Sequence, residues 1–336
     1  MANSTFLLHV TRITRSRWLC ITVILLFTGA FPARTLAQEF PNRPVRLVAP
    51  FSAGGGADAA ARLVAEKLSE SFGKQVVVDN RPGASNIIGT DIVAKAPADG
   101  YTILLAINNH AINAGLFSKL PYHPEKDFVP ITLIGLTPFM LVVHPSLPVK
   151  TTQDLIALAR TKAGALNYAS PGNGTAAHFA AELFKLRARV NLTHIPYKGV
   201  SQAVIDLVAG TVHVMIPSPG SALAQVKVGR LKLLAVTTHH RARALPDVPT
   251  LNESGVPGYE FSNWWGLLSP RGTPAGVVSR FQKDLAQLLQ TKDVQARLGG
   301  ENGEAVGSTP EYFRDFLRAE IEKYSRLVKE IGLKPD

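Results

Sequence analysis

Arg46-Leu47-Val48-Ala49-Pro50-Phe51-Ser52-Ala53-Gly54-Gly55-Gly56 is the stretch on which the fold turns. Arg46 to Phe51 reads as a short buried strand, and it runs straight into a loop of small residues and three glycines. A helix follows from about Ala57 to Phe72, with Ala60, Leu63, Val64, Leu68 and Phe72 on one face at helical spacing. Gly73 stops it. Gln75 to Asp79 is a second strand, Arg81-Pro82-Gly83 a turn, and Ile88 to Ala96 a second helix. Asp99-Gly100 turns the chain into a third strand, Tyr101 to Ile107. This βαβαβ series implies a largely parallel sheet with right-handed crossovers.

A second series begins beyond Pro138. Strands are expected at Met140–Val143, Leu166–Ala169, Thr193–Pro196, Val212–Ile216 and Leu231–Val236. Helices are expected after the Thr151-Thr152 cap, after Ser170-Pro171-Gly172-Asn173-Gly174-Thr175, and over Ser201–Ala209. Pro246 to Gly258 is rich in proline and glycine and reads as a connection. Trp264 to Leu268 reads as another strand, and two or three helices close the chain, the last over Pro310–Ile331. There Arg314, Arg318 and Lys323 stand among acids and read as a solvated face.

The N-terminus changes the meaning of the composition. The 336 residues carry a net charge of +11 and one cysteine. Arg12, Arg15 and Arg17 precede a 14-residue apolar stretch, Trp18–Phe31, and Thr35-Leu36-Ala37 supplies small residues for cleavage before Gln38. This is the pattern of a secretory signal peptide, residues 1–37, and the apolar stretch is too short for a bilayer-spanning helix. Removing it takes away four arginines and the only cysteine, Cys20, leaving 299 residues at a net charge of +7. An exported chain without cysteine excludes a disulfide scaffold, thiol catalysis and cysteine–zinc sites. The remaining basic residues are scattered, without the basic stripe and interleaved aromatics of a nucleic-acid binder.

The informative feature is a junction that occurs twice: a buried strand, a glycine-rich loop, a helix start. Glycine lets backbone N–H groups converge, and the helix start adds unpaired N–H groups and a positive dipole end. Two such cradles in successive α/β units suggest two lobes clamping one small anionic ligand. Rival motifs fail. Gly172-Asn173-Gly174-Thr175-Ala176-Ala177 has dinucleotide-loop spacing, but the acid expected about 20 residues on is missing. Residues 54–56 lack the lysine of a phosphate loop, so no nucleotide cofactor is implied. The remaining histidines show no metal spacing, and adjacent His239 and His240 diverge. Ser170 with His178 raises a hydrolase reading, without a nucleophile elbow or a third member. Asp58, in the first helical turn, reads either as a dipole-favoured helix-start acid or as a partner for a ligand amine.

Motifs spread over the whole mature chain carry a resemblance. They include Arg43-Pro44-Val45, Pro50-Phe51-x-Ala53-Gly54-Gly55, Asn80-Arg81-Pro82-Gly83-Ala84, Asp99 to Leu104, Leu120-Pro121-Tyr122 and Lys126-Asp127-Phe128. Further on come Val143-His144-Pro145-Ser146, Leu166-Asn167-Tyr168-Ala169-Ser170, Gly174, His178, His194 to Gly199, Leu245 to Thr250, Gly255-x-Pro257-Gly258-Tyr259 and Gly272-Thr273-Pro274. In order and spacing they resemble the Bug-type solute-binding proteins of tripartite tricarboxylate transporters. The resemblance implies an α/β periplasmic binding protein of type II, a Venus flytrap of two α/β lobes around a central cleft. Lobe one would be residues 38–138 plus 260–336, and lobe two 139–259. It implies no enzyme activity, no cofactor and no metal. The partners it implies are a small organic carboxylate and a two-component membrane permease, with a sensor kinase as the alternative receiver, and a monomeric protein in the periplasm.

By matching position, the ligand contacts implied in lobe one are Ser52, Ala53, Gly54, Gly55, Asp58, Ser85, Asn86, Ile107 and Asn108. In lobe two they are Ser170, Gly172, Asn173, Gly174, Thr175, His178, Tyr197, Lys198 and Ser218. The chain departs from the family pattern at Ser52, where proline or another small residue is common, and at Asn86, where glycine is usual. His213 replaces a common aspartate, a change expected at the surface.

Overall fold

The structure is a computed structural model and describes residues 40–333 apart from 55, 162 and 300–302. The expected signal peptide lies outside the described residues. Pro41–Asp336 belongs to one compact unit built on two sheets.

β1 (Val45–Ala49), α1 (Gly56–Phe72), β2 (Val76–Asn80), α2 (Ile87–Ala94) and β3 (Thr102–Ile107) form the first series. β1 is inaccessible at Val45, Leu47, Val48 and Ala49, the continuous burial expected of a strand covered on both faces. β1 pairs in parallel with both β2 and β3. α3 (Asn108–Leu116) leaves β3 without an intervening turn, and β4 (Phe128–Pro138) follows. The chain then crosses to a second sheet with β5 (Met140–Val143), α4 (Thr152–Thr161), β6 (Asn167–Ser170), α5 (Ala176–Ala188), β7 (Thr193–Pro196), α6 (Val200–Val208), β8 (Val214–Met215), α7 (Pro219–Lys227) and β9 (Lys232–Val236). It returns as β10 (Ser262–Pro270) and ends with α8 (Ala275–Leu289), α9 (Lys292–Gly299), β11 (Glu304–Ala305) and α10 (Pro310–Ile331).

The strand orders are β11-β4-β10-β3-β1-β2 and β7-β6-β8-β5-β9. Each sheet therefore carries the same parallel trio, with the first strand in the middle: β2-β1-β3 and β7-β6-β8. The sequence reading of largely parallel sheets needs one correction. β10 runs antiparallel to both β3 and β4, and β5 antiparallel to both β8 and β9. In each sheet this antiparallel strand lies next to the third strand of the trio. A strand's spatial neighbour across two chain crossings leaves no local trace in sequence.

β10 is the spine of the first sheet. Trp264, Trp265, Leu267 and Leu268 are at most 2% exposed. A Cβ on Gly266 would lie 2.1 Å from the Phe313 ring, so only glycine lets α10 seat there. α10 buries Phe313, Leu317, Tyr324, Leu327 and Val328 along one face; each such side chain contributes roughly 1.5–3 kcal/mol. The Trp264 indole N–H donates to Glu320 at 3.0 Å, and Lys323 neutralises that buried carboxylate. The same helix meets the second half of the molecule, where Tyr324 packs edge-on against Phe179 of α5. Among the described residues, no helix is long and apolar enough to cross a membrane.

Candidate functional site

Because β1, β2 and β3 are parallel, their ends place three connections on one sheet edge. Ser52, Ala53 and Gly54 follow β1 and are exposed; Gly55 lies outside the described residues. Asp58, 3% exposed, ties this loop down. Its carboxylate accepts from Gly54 N at 3.0 Å, Asn80 Nδ2 at 2.9 Å and Arg62 Nε at 2.9 Å. Burial alone would raise the Asp58 pKa; the Gly54, Asn80 and Arg62 hydrogen bonds outweigh it and hold the carboxyl below its usual value. Asn80, the last residue of β2, also donates to Phe51 O at 3.1 Å. The helix-start acid is thus a clamp between two strand ends.

After β2 the backbone turns left-handed over four residues: Gly83 (φ 127°), Ala84 (44°), Ser85 (51°) and Asn86 (75°). Three of them carry a side chain. Asn113 of α3, 1% exposed, donates to Ser85 O at 2.8 Å, and Thr90 Oγ1 donates to Asn86 O at 2.9 Å. A Cβ on Gly89 would lie 2.7 Å from Arg81 O and 2.8 Å from Pro50 Cα, so α2 sits directly on both neighbouring strand ends. Ile107 ends β3 and is half-buried. The Asn108 side chain turns inward. Its Nδ2 donates to Ser262 O at 2.8 Å and Tyr324 Oη at 2.7 Å, and its Oδ1 accepts from Trp264 N at 3.1 Å.

The ends of β6, β7 and β8 mirror this edge. Gly172 (φ 142°) and Gly174 (φ 70°) make the turn after β6. Thr175 caps α5, accepting from His178 N at 3.3 Å, and Gly174 N donates back to His178 Nδ1 at 3.1 Å. His178 stacks on His194 at 4.2 Å, and His194 stacks on Tyr168 at 4.7 Å. The column ends in a polar chain: Tyr168 Oη donates to Glu182 at 2.5 Å, which Lys185 pairs at 2.6 Å. Desolvation first, then the neighbouring His178, lower the His194 pKa from 6.5 to about 4, so that the imidazole is neutral. Tyr197 N donates to Ser170 O at 3.0 Å, and its hydroxyl donates to Asp206 at 2.8 Å; desolvation, then Asp206, push that phenol up to about 12. Lys198 is exposed. Ser218 immediately precedes α7, its hydroxyl 3.0 Å from that of Ser221.

The pairing of Ser170 with His178 is corrected. Ser170 Oγ lies 2.7 Å from His194 Nε2, accepts from Gly172 N at 3.2 Å and donates to Gly172 O at 3.1 Å. Ser170 is wholly buried, so its hydroxyl ties a turn together. The sequence reading missed His194, and the signal lay in register: β7 sets His194 opposite Tyr168, with Ser170 two residues on and on the same face. Asn80, Thr90 and Asn113 were also missed. The Asp58–Arg62 ion pair has a legible i,i+4 spacing. His213, expected at the surface, is partly buried and ties β8 to β6 through Asn167 Oδ1 at 2.8 Å. The two edges adjoin. A Cβ on Gly174 would lie 3.3 Å from Leu116 in the last turn of α3.

Two α/β halves joined by two crossings, each offering the ends of a parallel trio, define the fold of periplasmic solute-binding proteins. The chain belongs to the tripartite tricarboxylate transporter family of receptors: the family model so described matches residues 60–333. It is 39% identical over 325 residues to a protein encoded in the tcbD–tcbE intergenic region of Pseudomonas sp. strain P51, covering 96% of each chain. It is 35% identical over 321 residues to protein BugT of Bordetella pertussis, covering 95% of this chain and 98% of that one. Among solved structures, R. palustris Rpa4515 with adipate superposes with a TM-score of 0.80 at 37% identity, over 89% of this chain and all of that one. MatC from Rhodopseudomonas palustris with bound malate superposes with a TM-score of 0.75 at 29% identity, over 86% and 100%. The family is one of solute-binding receptors.

Proposed function

We propose that this protein is a periplasmic receptor that captures one small organic dicarboxylate between its two halves and delivers it, as a monomer, to a two-component membrane permease. Lobe one comprises 38–138 plus 260–336 and lobe two 139–259, closing by a hinge at the two crossings. The observation that carries this reading is the chemistry of the six strand ends. They present backbone N–H groups, hydroxyls and amides, and among the assigned contacts there is no arginine and one lysine, the exposed Lys198. A carboxylate held by oriented N–H dipoles needs no buried counter-charge. Adipate and malate in the two R. palustris proteins support a dicarboxylate of about four to six carbons. The exposed loop Ser52–Gly54 and the turn Ala84–Asn86 would bind from one side, and Gly172–Thr175 from the other. Asp58 and Asn108 act through their backbone, since their side chains are engaged within the protein.

The test is calorimetric titration of the mature protein with a panel from malonate to pimelate, with malate, citrate, aromatic acids and acidic amino acids. One member should bind one per chain and raise Tm by mass action. Silence across the panel rejects the carboxylate reading. Capture of the liganded protein by permease components in membranes, and not by a sensor domain, separates uptake from signalling.

A further inference from the structure

Residues 83–86 form a left-handed turn in a chain of L-residues. Gly83 accommodates it, and Asn86 tolerates it. Ala84 and Ser85 do not: φ of 44° and 51° brings each Cβ against its own backbone. Such strain persists only where surroundings over-determine it, and it concentrates where a ligand is held. The surroundings here are specific. Asn113 and Thr90, both buried, each hold one carbonyl of the turn, those of Ser85 and Asn86. Gly89 brings the start of α2 into contact with Pro50 and Arg81, closing the turn from beneath.

The strained geometry has one chemical product. With Ser85 and Asn86 carbonyls drawn inward by their donors, the N–H groups of Ala84 and Ser85 have no acceptor among the described residues, and both residues are exposed. Successive N–H groups in one turn point the same way, so the turn acts like an isolated helix start.

We propose that Asn113 and Thr90 are positioning residues that hold this turn strained, so that its amides are set for a ligand carboxylate before binding, at a cost in stability. This rests on the carboxylate reading above. It makes two opposite predictions for one substitution. Ala84→Gly touches no assigned ligand side chain and relieves the strain at one of its two strained positions. Tm of the free protein should rise by about 2–4 °C. Affinity should fall about tenfold, since the freed backbone must be ordered again on binding. A merely structural role moves both readings the same way. Thr90→Val, which keeps the shape and removes the donor, should weaken binding by several-fold.

Thermal unfolding and calorimetry with adipate and malate decide the matter. A lower Tm for free Ala84→Gly overturns the strain, whatever binds. A higher Tm with unchanged affinity overturns the positioning role while leaving the receptor reading intact. If wild type binds neither adipate nor malate nor any acid of the wider panel, both fall together.

Discussion

The turns after β2 and β6 solve one problem by opposite means. The turn after β6 places glycine at both of its left-handed positions, Gly172 and Gly174, so its backbone is at ease. Its rigidity comes from side chains: Ser170, Thr175, His178 and His194 bond or stack into a closed set. The turn after β2 uses Ala84 and Ser85 where glycine would be easier, and borrows its rigidity from donors on α2 and α3. A relaxed backbone with a dense local network and a strained backbone with remote supports both deliver fixed amides. The difference is where substitutions hurt. The second-sheet turn fails at its glycines, and the first-sheet turn fails at its supports.

The largest effect should follow from breaking the relaxed turn at its most demanding residue. Gly172 has φ 142°, a region closed to side chains, and a Cβ there would lie 3.3 Å from Tyr197 O. Gly172→Ala should cost about 3 kcal/mol in chemical denaturation and weaken carboxylate binding by more than about tenfold. The same change at the other turn runs in reverse, since there it is alanine that is replaced by glycine.

Next comes the network itself. Ser170→Ala leaves His194 Nε2 and Gly172 N without their partner and should cost about 1–2 kcal/mol. Denaturation midpoints check it. An unchanged midpoint would mean that the hydroxyl does not hold the turn.

A pH dependence follows with a defined sign. His194 has a folded pKa of about 4 against 6.5 ordinarily, and His110 of α3, fully buried, is likewise lowered to about 4 by desolvation. Above pH 6.5 both are neutral in the folded and unfolded chains alike. As pH falls from 6.5 towards 4, the unfolded chain takes up protons that the folded one refuses, so stability is lost across that window. Denaturation at pH 7.5, 5.5 and 4.5 should show a falling stability. His194→Gln should flatten part of the slope, and the part due to His110, in the other half, should remain.

The smallest effect should come from Asn86→Gly. Asparagine visits the left-handed region readily, so free-protein stability should move by a few tenths of a kcal/mol, well below the change at Ala84. An equal change at both positions would show that the strain is spread over the turn.

Much of the architecture was legible because it is local. The strand–glycine–helix junctions and the β5, β7 and α10 boundaries all follow from periodicity and caps. β4 was not, because Pro130, Gly135 and Pro138 interrupt its pattern. α3 was not, because Ile107 passes directly into Asn108 with no turn residue between them. The left-handed turn was half visible: Gly83 and Asn86 suit it, but Ala84 and Ser85 give no sign of it. The family pattern names candidate residues, and only the fold shows that the side chains of some of them, such as Asn108 and Asp58, are engaged within the protein. His194 required knowing which strand lies beside β6.

β10 has a consequence for how the chain is made. It lies between β3 and β4, pairing Trp265 with Ile107 on one side and with Gly135 on the other. Until residue 270 has emerged, the first sheet has a gap at its centre and two unpaired inner edges. Its two neighbours, β3 and β4, both made earlier, cannot close around β10 through short-range contacts, and the loop to be closed spans the whole second sheet. Synthesis from the N-terminus thus yields a nascent chain whose second sheet is free to form first. The first half stays open until its missing central strand arrives.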